Sequence, residues 1–504
     1  MPGAAAAIVL VAMAGGGCSS INGAPTGDGG AGLDASACSG PQCGDAAAPT
    51  RDTGVAGDAG AAGEDAGTAP VQDAGAAGED TGTAPVQDAG AAARDAGTTP
   101  PQDAGAAAED AGGPAGDAAA LVGTGWTGST SLADYPKTGP ITTGCPIVDI
   151  DDGAGGKTVE QRFQDALALL SGNSCVLLRD DSGAPVTLTA HVHRDTAWSS
   201  SKRIFAYGTQ RITLDGSQIP ASTSENQQLV FFSGAANEHW KGFEVTGARN
   251  GNVAVEKSPH ITLEDFWIHH NANGTGVAGY QADDLLVQDC VYWHNGTLGY
   301  QPATHSGDGF TSAVSARNVF VRCVAINAPD DGFDLYLGDY VTILDSVAVG
   351  SGWYYDGSSA GDGDGFKLGG DVGNTEGAGG ATLRGCVAVH NKATGVSHWD
   401  AYGAARTVAH NTSYDNGYTN VALGGIAGDV IDSNLADTAP HADSVAAGTF
   451  NHWSAGADPL FAAPARGDLS LLAGSPCLGA GSSLSNQGAS TQALRLLLDT
   501  WHLK

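Results

Sequence analysis

The chain has 504 residues, with 22 Lys/Arg against 55 Asp/Glu and a formal charge of −33. Of that charge, −14 falls in residues 1–120 and −19 in the remainder; neither part carries the basic footprint of a nucleic-acid binder, and an acidic protein repels a polyanion unless bound cations intervene. Residues 1–120 contain no Trp, Tyr or Phe, which excludes a packed core there, because too little apolar surface exists to offset the entropy of ordering.

The first predicted element is the apolar run "AAAAIVLVAMAGGGC", which ends at Cys18. It has the length of a signal peptide and is too short for a mature membrane span. It is similar to a bacterial lipoprotein signal, in which the cysteine is lipidated, although no Lys or Arg precedes the run and Gly15 stands where leucine is usual. Residues 1–18 are read as that signal, with anchoring to an outer membrane through Cys18, or plain secretion, as its outcomes. Residues 19–120 form an Ala/Gly/Asp/Pro-rich linker that repeats every fifteen positions: "DAGAAGED" at 58 and 73, "DAGAAARD" at 88, "DAGAAAED" at 103. Its repeats hold no apolar side chain larger than valine, so they cannot stack into a core. Like charges on such a composition favour a disordered, extended tether. Cys38 and Cys43 lie near its start, close enough in sequence for a local disulfide.

Residues 121–504 are read as one all-β domain, expected to be monomeric. Cys145 and Cys175 flank its entry, as a disulfide or as free thiols. "TVEQRFQDALALL" (158–170) places Val159, Phe163, Leu167 and Leu170 on one helical face and predicts a capping helix,. From 261 to 416 the chain repeats short β-rich runs: "LEDFWIHHN", "VQDCVYWHN", "VRCVAIN", "LDSVAVG", "LRGCVAVHN" and the looser "NTSYDN". Adjacent runs separated by Gly/Asn/Asp turns, without helices, predict a parallel β-helix. Stacked coils then bring like residues into columns. Phe266, Cys290, Cys323, Ser346 and Cys386 form an inward column. Asn271, Asn295, Asn327, Asn391 and Asn416 form another, with amides pairing up the stack. The cysteines read as small buried hydrophobes. His269, His270, His294 and His390, bordering the asparagines, read as turn hydrogen-bonders rather than ligands.

A third column carries the chemistry. "GDGF" occurs at 307–310, "DDGF" at 330–333 and "GDGF" at 363–366, with "ATGV" at 393–396. Alignment on the glycines stacks Asp308, Asp331 and Asp364, and follows each aromatic with Thr311, Asp334 and Lys367. The chain holds only eight lysines, and this one is predicted about one coil rise, ~4.8 Å, from Asp334. Asp308, Asp330, Asp331 and Asp334 offer oxygens to a hard cation, and Ca²⁺ suits an all-carboxylate set best. Asp-Gly pairs are also ordinary turn residues, and a purely structural Ca²⁺ is a further reading.

"DDGFDLY", "GDGFKLGG" and "NKATGV" on such a scaffold resemble the family 9 polysaccharide lyases, over roughly 145–480 and most specifically over 305–396. The resemblance implies a right-handed parallel β-helix, a Ca²⁺ held by Asp308, Asp330, Asp331 and Asp334, and Lys367 as the base. It implies an acidic polysaccharide substrate, pectate or a related polyuronate, cleaved by β-elimination. The segment 458–481 resembles the closing segment of many such helices. Two departures stand out: Asp364 replaces an expected asparagine and adds charge beside the lysine, and "GVSHWD" (395–400) replaces an amide-rich stretch. Neighbouring carboxylates raise a lysine pKa and a cation lowers it, so an alkaline optimum and a metal requirement are expected. The insertion 350–362 offers Trp353, Tyr354 or Tyr355 for stacking on sugar or for loop packing. Arg384 and Lys392, one coil beyond Lys367, are candidates to hold a uronate carboxylate, and His398 to contact substrate. Two other classes stay open: a non-catalytic glycan-binding surface β-helix, which needs no lysine at 367, and a polygalacturonase-like hydrolase, which needs carboxyl acid and base free of metal.

Overall fold

Several residues in each coil accept a left-handed backbone, and two of these rows mark the bends between neighbouring walls. In the first row Asp265, Asp289, Arg322, Asp345, His410 and Ser433 have φ between 46° and 57°; in the second His270, His294, Asn327, His390 and Asp415 lie between 49° and 55°. Each costs about 1–2 kcal/mol in a residue bearing a Cβ, and recurs because the coils on either side dictate the same bend. His270, His294 and His390 are therefore bend residues, whereas His269 lies in a strand and pairs with Glu244 at 3.0 Å.

The computed structural model describes residues 132–503, apart from 152–153, 221–227, 250, 273, 297–306, 355–356, 370–378, 399–402, 446–447 and 454–455. The predicted signal and linker, with Cys18, Cys38 and Cys43, and Tyr355 of the insertion, lie outside the described residues. Between the bends the strands are short and parallel, about 4.8 Å apart. Ten of them, from Val192–Arg194 to Ser444–Val445, form one wall; nineteen form the other two. Ala236–Thr246 and Ile261–His269 run through both of those walls, while later coils break at the first bend, as at Leu286–Gln288 and Val291–Trp293. The architecture is the predicted all-β parallel β-helix.

The inward columns close the core. Phe266, Cys290, Cys323, Ser346 and Cys386 are all buried, and Phe310, Phe333 and Phe366 stack with ring centroids 5.0 and 4.8 Å apart. After the second bend, Asn271 donates from its backbone and its amide to Asn295 Oδ1 at 3.1 and 2.8 Å, and Asn391 does the same to Asn416 at 3.0 and 2.9 Å. Asn327 is not part of this ladder. It occupies the bend itself, one residue early, and Ala328 and Ser351 fill the column; Ser351 N–H donates to Asn391 Oδ1 at 3.0 Å. A second ladder, which the repeat alignment did not pick out, continues the cysteine column. Cys386 N–H donates to Asn411 Oδ1, Asn411 N–H to Asn434 and Asn434 N–H to Asn451, at 2.9, 3.1 and 2.8 Å.

The capping helix is present as α1, Val159–Ala168, started by Thr158 and Gln161 in a reciprocal capping box,. Phe163 and Leu167 bury into the first coils with Leu170, from the short turn of helix that follows. A Cys145–Cys175 disulfide pins the entry strand, with Cα atoms 5.4 Å apart. The closing segment forms an antiparallel pair, Phe461–Ala463 with Asp468–Leu471. A second helix follows, α2, Thr491–Thr500, which the sequence reading did not anticipate. Its Ala493 and Leu497 lie on the outward apolar row Val324, Ile326, Val347, Val349, Val387 and Val389. On the neighbouring wall, Tyr135 covers Leu286, Val319, Val321 and Leu344. The ten-stranded wall differs: its exterior row runs Ala278, Thr311, Asp334, Lys367, Ser397, Ala422, and no described element covers it with apolar side chains. Among the described residues no helix is long and apolar enough to cross a membrane.

Candidate active site on the uncovered wall

Register creates the site. Phe310, Phe333 and Phe366 pair in successive strands, and so do Thr311, Asp334, Lys367 and then Ser397. This is the alignment expected from the glycine-phased motifs. Since the phenylalanines point inward, alternation turns Asp334 and Lys367 outward. Just before each strand, Asp308, Asp331 and Asp364 form a carboxylate ladder. Asp308 Oδ1 accepts from Asp331 N–H at 3.2 Å, Asp331 Oδ1 from Asp364 N–H at 2.8 Å, and Asp364 Oδ1 from Thr394 N–H at 2.9 Å. Each second oxygen accepts from an outward side chain: Thr311 Oγ1 on Asp308 at 2.8 Å, Lys367 Nζ on Asp331 at 3.0 Å, and Ser397 Oγ on Asp364 at 2.5 Å.

Lys367 is 14% exposed and lies 3.8 Å from both Asp334 Oδ2 and Asp362 Oδ2. Burial disfavours its charge, but Asp331 and Asp334 outweigh that and hold the ammonium well above the usual lysine range. Burial likewise pushes Asp308 and Asp331 well above the carboxylate range; mutual repulsion adds to this, and Lys367 only partly relieves Asp331. Asp334 is pushed up to about 7 by burial, against the pull of Lys367. A single ammonium therefore does not balance these acids. One oxygen each from Asp308, Asp331 and Asp334 lie within 4.8 Å of one another. Asp334 Oδ1 is buried with no hydrogen-bond partner. An all-oxygen, anionic donor set with an unsatisfied oxygen suits a hard divalent cation and lacks the softer ligands that zinc or copper would favour.

The other candidates separate. Asp330 is not in the three-oxygen group; its Oδ1 accepts from Asp362 N–H at 2.6 Å. Asp364, expected beside the lysine, accepts from Thr394 N–H and Ser397 Oγ with its two oxygens. Arg384 lies on another wall, paired in register with Leu344 and Ala409, because its strand precedes the second bend of its coil. It is thus removed from the face that carries Lys367. His398 continues an inward row, after Leu368 and before Leu423, and both ring nitrogens are buried without partners. Burial, with Arg406 nearby, pulls it down to about 4. Lys392 donates to Gly361 O at 2.6 Å and Ala360 O at 3.3 Å, and its ammonium sits 5.9 Å from the Trp353 ring centroid. Trp353 remains 38% exposed. Asp362, Thr311 and Ser397 were missed as members of the site; Asp362 ends an insertion whose path no repeat specifies. A groove of about 320 Å³ adjoins the site, lined by Asp362, Asp364, Ala393, Thr394, Ser397, His398 and Ala422.

Fold and site together define a parallel β-helix protein with an acidic, lysine-paired cluster on one wall. Residues 148–432 match the model of the Pel9A-like right-handed β-helix region, and the chain belongs to that family. It is 30% identical over 287 residues to pectate lyase L of Paenibacillus polymyxa (strain SC2), covering 52% of this chain and 60% of that one. Pectate lyase L of Dickeya chrysanthemi is 31% identical over 190 residues, covering 36% of this chain and 41% of its own length. The chain thus spans less than two thirds of these relatives. The crystal structure of pectate lyase Pel9A superposes with a TM-score of 0.54 at 22% identity, covering 70% of this chain and 97% of that one, a likeness of fold.

Proposed function

We propose that this protein is a Ca²⁺-dependent polysaccharide lyase, cleaving pectate or a related polyuronate by β-elimination. The observation that carries this reading is Lys367 Nζ at 3.0 Å from Asp331 and 3.8 Å from Asp334, on a wall that no described element covers with apolar side chains. Asp308, Asp331 and Asp334 are the residues that would hold the cation, and Asp330, outside that three-oxygen group, adds negative charge to the site. A divalent ion held there would neutralise the acidic cluster and would polarise a substrate carboxylate, acidifying the adjacent carbon.

Lys367 is the group that takes the C5 proton. The C–H electron pair becomes the C4–C5 double bond as the C4–O bond breaks, the bond's electron pair leaves with the oxygen, and that oxygen takes a proton from water. Lys367 accepts a proton only as the free amine, and its pairing with Asp331 and Asp334 favours the ammonium. This supports inactivity of the cation-free protein and an alkaline optimum. The strand register holds the lysine at a fixed height on the wall, and Ser397 Oγ donates to Asp364 Oδ2. Family membership supports an acidic polysaccharide as the substrate. The Cys145–Cys175 disulfide supports an oxidising, extracytoplasmic setting,.

The test is incubation with polygalacturonate, with and without chelator, following ultraviolet absorbance of unsaturated uronide. Elimination gives a chelator-sensitive rise. Reducing ends without absorbance would point to hydrolysis, and neither signal would leave a binding protein. Lys367→Ala should lower the rate about 10²–10⁴-fold, the usual contribution of a positioned base; retention of activity would remove the lysine from the mechanism.

A further inference from the structure

We infer that Lys392 is a positioning residue, which clamps the neck of the 350–363 insertion and thereby sets Asp362 against Asp330 and Lys367; this rests on the lyase reading above. The neck closes where Gly352 and Gly363 pass each other. Both have positive φ, +92° and +87°, and a Cβ on either would fall 2.6 or 2.7 Å from Lys392 Cβ. The lysine stem therefore lies against both glycines. Its backbone N–H donates to Ser351 O at 2.9 Å. Its ammonium donates to Gly361 O at 2.6 Å and Ala360 O at 3.3 Å, and the Trp353 ring lies 5.9 Å away. One side chain thus holds both strands of the neck, from below through its methylenes and at the tip through its charge.

The clamped strand leads directly into the site. Gly361 N–H donates to Pro329 O at 2.7 Å, and a Cβ at Gly361 would meet Asp330 Oδ1 at 2.1 Å. Asp362 N–H donates to Asp330 Oδ1 at 2.6 Å, and Asp362 Oδ2 lies 3.8 Å from Lys367 Nζ. The carbonyls that Lys392 holds belong to the two residues before Asp362. Two of the three ammonium donors are given to loop carbonyls,, and on this inference Lys392 contributes to turnover through the loop rather than through a contact with a substrate carboxylate.

Lys392→Met keeps the stem and removes the charge. Expected are faster hydrogen exchange in peptides spanning 350–363, an unchanged far-ultraviolet spectrum, and a fall in kcat of about tenfold to hundredfold, as for a displaced catalytic group, with little change in KM. Its effect should be strongly non-additive with Asp362→Asn, because both act on one element. Gly363→Ala, which crowds the same neck, should reproduce the exchange and kcat pattern if Lys392→Met fails to fold. A raised KM at unchanged kcat, with unaltered exchange and additive double-mutant behaviour, would make Lys392 a substrate ligand and overturn the inference. Absence of lyase activity in the parent protein would count against the proposed function alone; the exchange of 350–363 would still decide whether the clamp exists.

Discussion

Lys367 and Asp334 are adjacent rungs on one wall, and each distorts the other's proton affinity. The raised Asp334 pKa has a thermodynamic consequence. A carboxyl that titrates at about 7 when folded, against ~4 in the unfolded chain, holds its proton more tightly in the fold,. Stability contributed by that group is then present at low pH and lost as pH rises from about 4 to 7. Asp334→Asn removes the liability. In the absence of divalent cations the variant should melt above the parent, with a gap that opens between pH 4 and 7 and is flat beyond. Excess Ca²⁺ should reverse the order, because the parent then gains a ligand that the variant binds poorly. A gap independent of pH would show that Asp334 is ordinarily ionised and that burial is not the controlling factor.

At the scale of elements, the asparagine ladders hold the bends. Asn411 is buried, accepts from Cys386 N–H at 2.9 Å, and donates its amide to Leu383 O and Asn434 Oδ1 at 3.1 and 2.9 Å. Asn411→Ala leaves a buried backbone N–H unpaired, which costs about 1–3 kcal/mol, and should lower the thermal or denaturant midpoint. Equal stability would mean that water enters the column. The ladders also explain the misplacement of Asn327. Both the bend and the position after it favour asparagine, for different reasons: a tolerated left-handed φ in one and a stacking amide in the other. A sequence column of asparagines cannot distinguish the two when one coil carries Asn then Ala. The glycine-phased Asp column was read correctly because each glycine stands where a Cβ would collide with the next coil, as at Gly332 and Gly365, whose Cβ would meet a backbone oxygen at 2.6 Å. Only one register satisfies that constraint.

For the whole molecule, segments outside the coils decide which of the described faces are covered. The apolar exterior of one wall is closed by α2 and that of another by the segment around Tyr135. Truncation after residue 488 should expose Val324, Val347 and Val387 with their neighbours, and give dye-binding, aggregation-prone protein; a monomeric, cooperative truncation product would show that α2 is dispensable. The charge of −19 over residues 121–504 acts at longer range. If the substrate is a polyuronate, adding monovalent salt at fixed Ca²⁺ should lower KM, since screening weakens repulsion over a Debye length of about 8–10 Å. A KM that rises with salt would require a basic track on the wall.

Composition and repeat spacing by themselves determined that the repeats of 261–416 wind into a parallel β-helix. They also determined that Asp308, Asp331, Asp334 and Lys367 share one wall. Both follow from the two-residue alternation of a strand and the near-constant rise between coils, which convert spacing in the chain into position in space. Tertiary structure alone decided the rest: that Arg384 turns onto another wall, that His398 faces inward, that Asp364 is held by Ser397, and that Lys392 serves the insertion. Those outcomes depend on where each coil bends and on how an insertion packs. Neither is periodic, so no column of aligned residues records it.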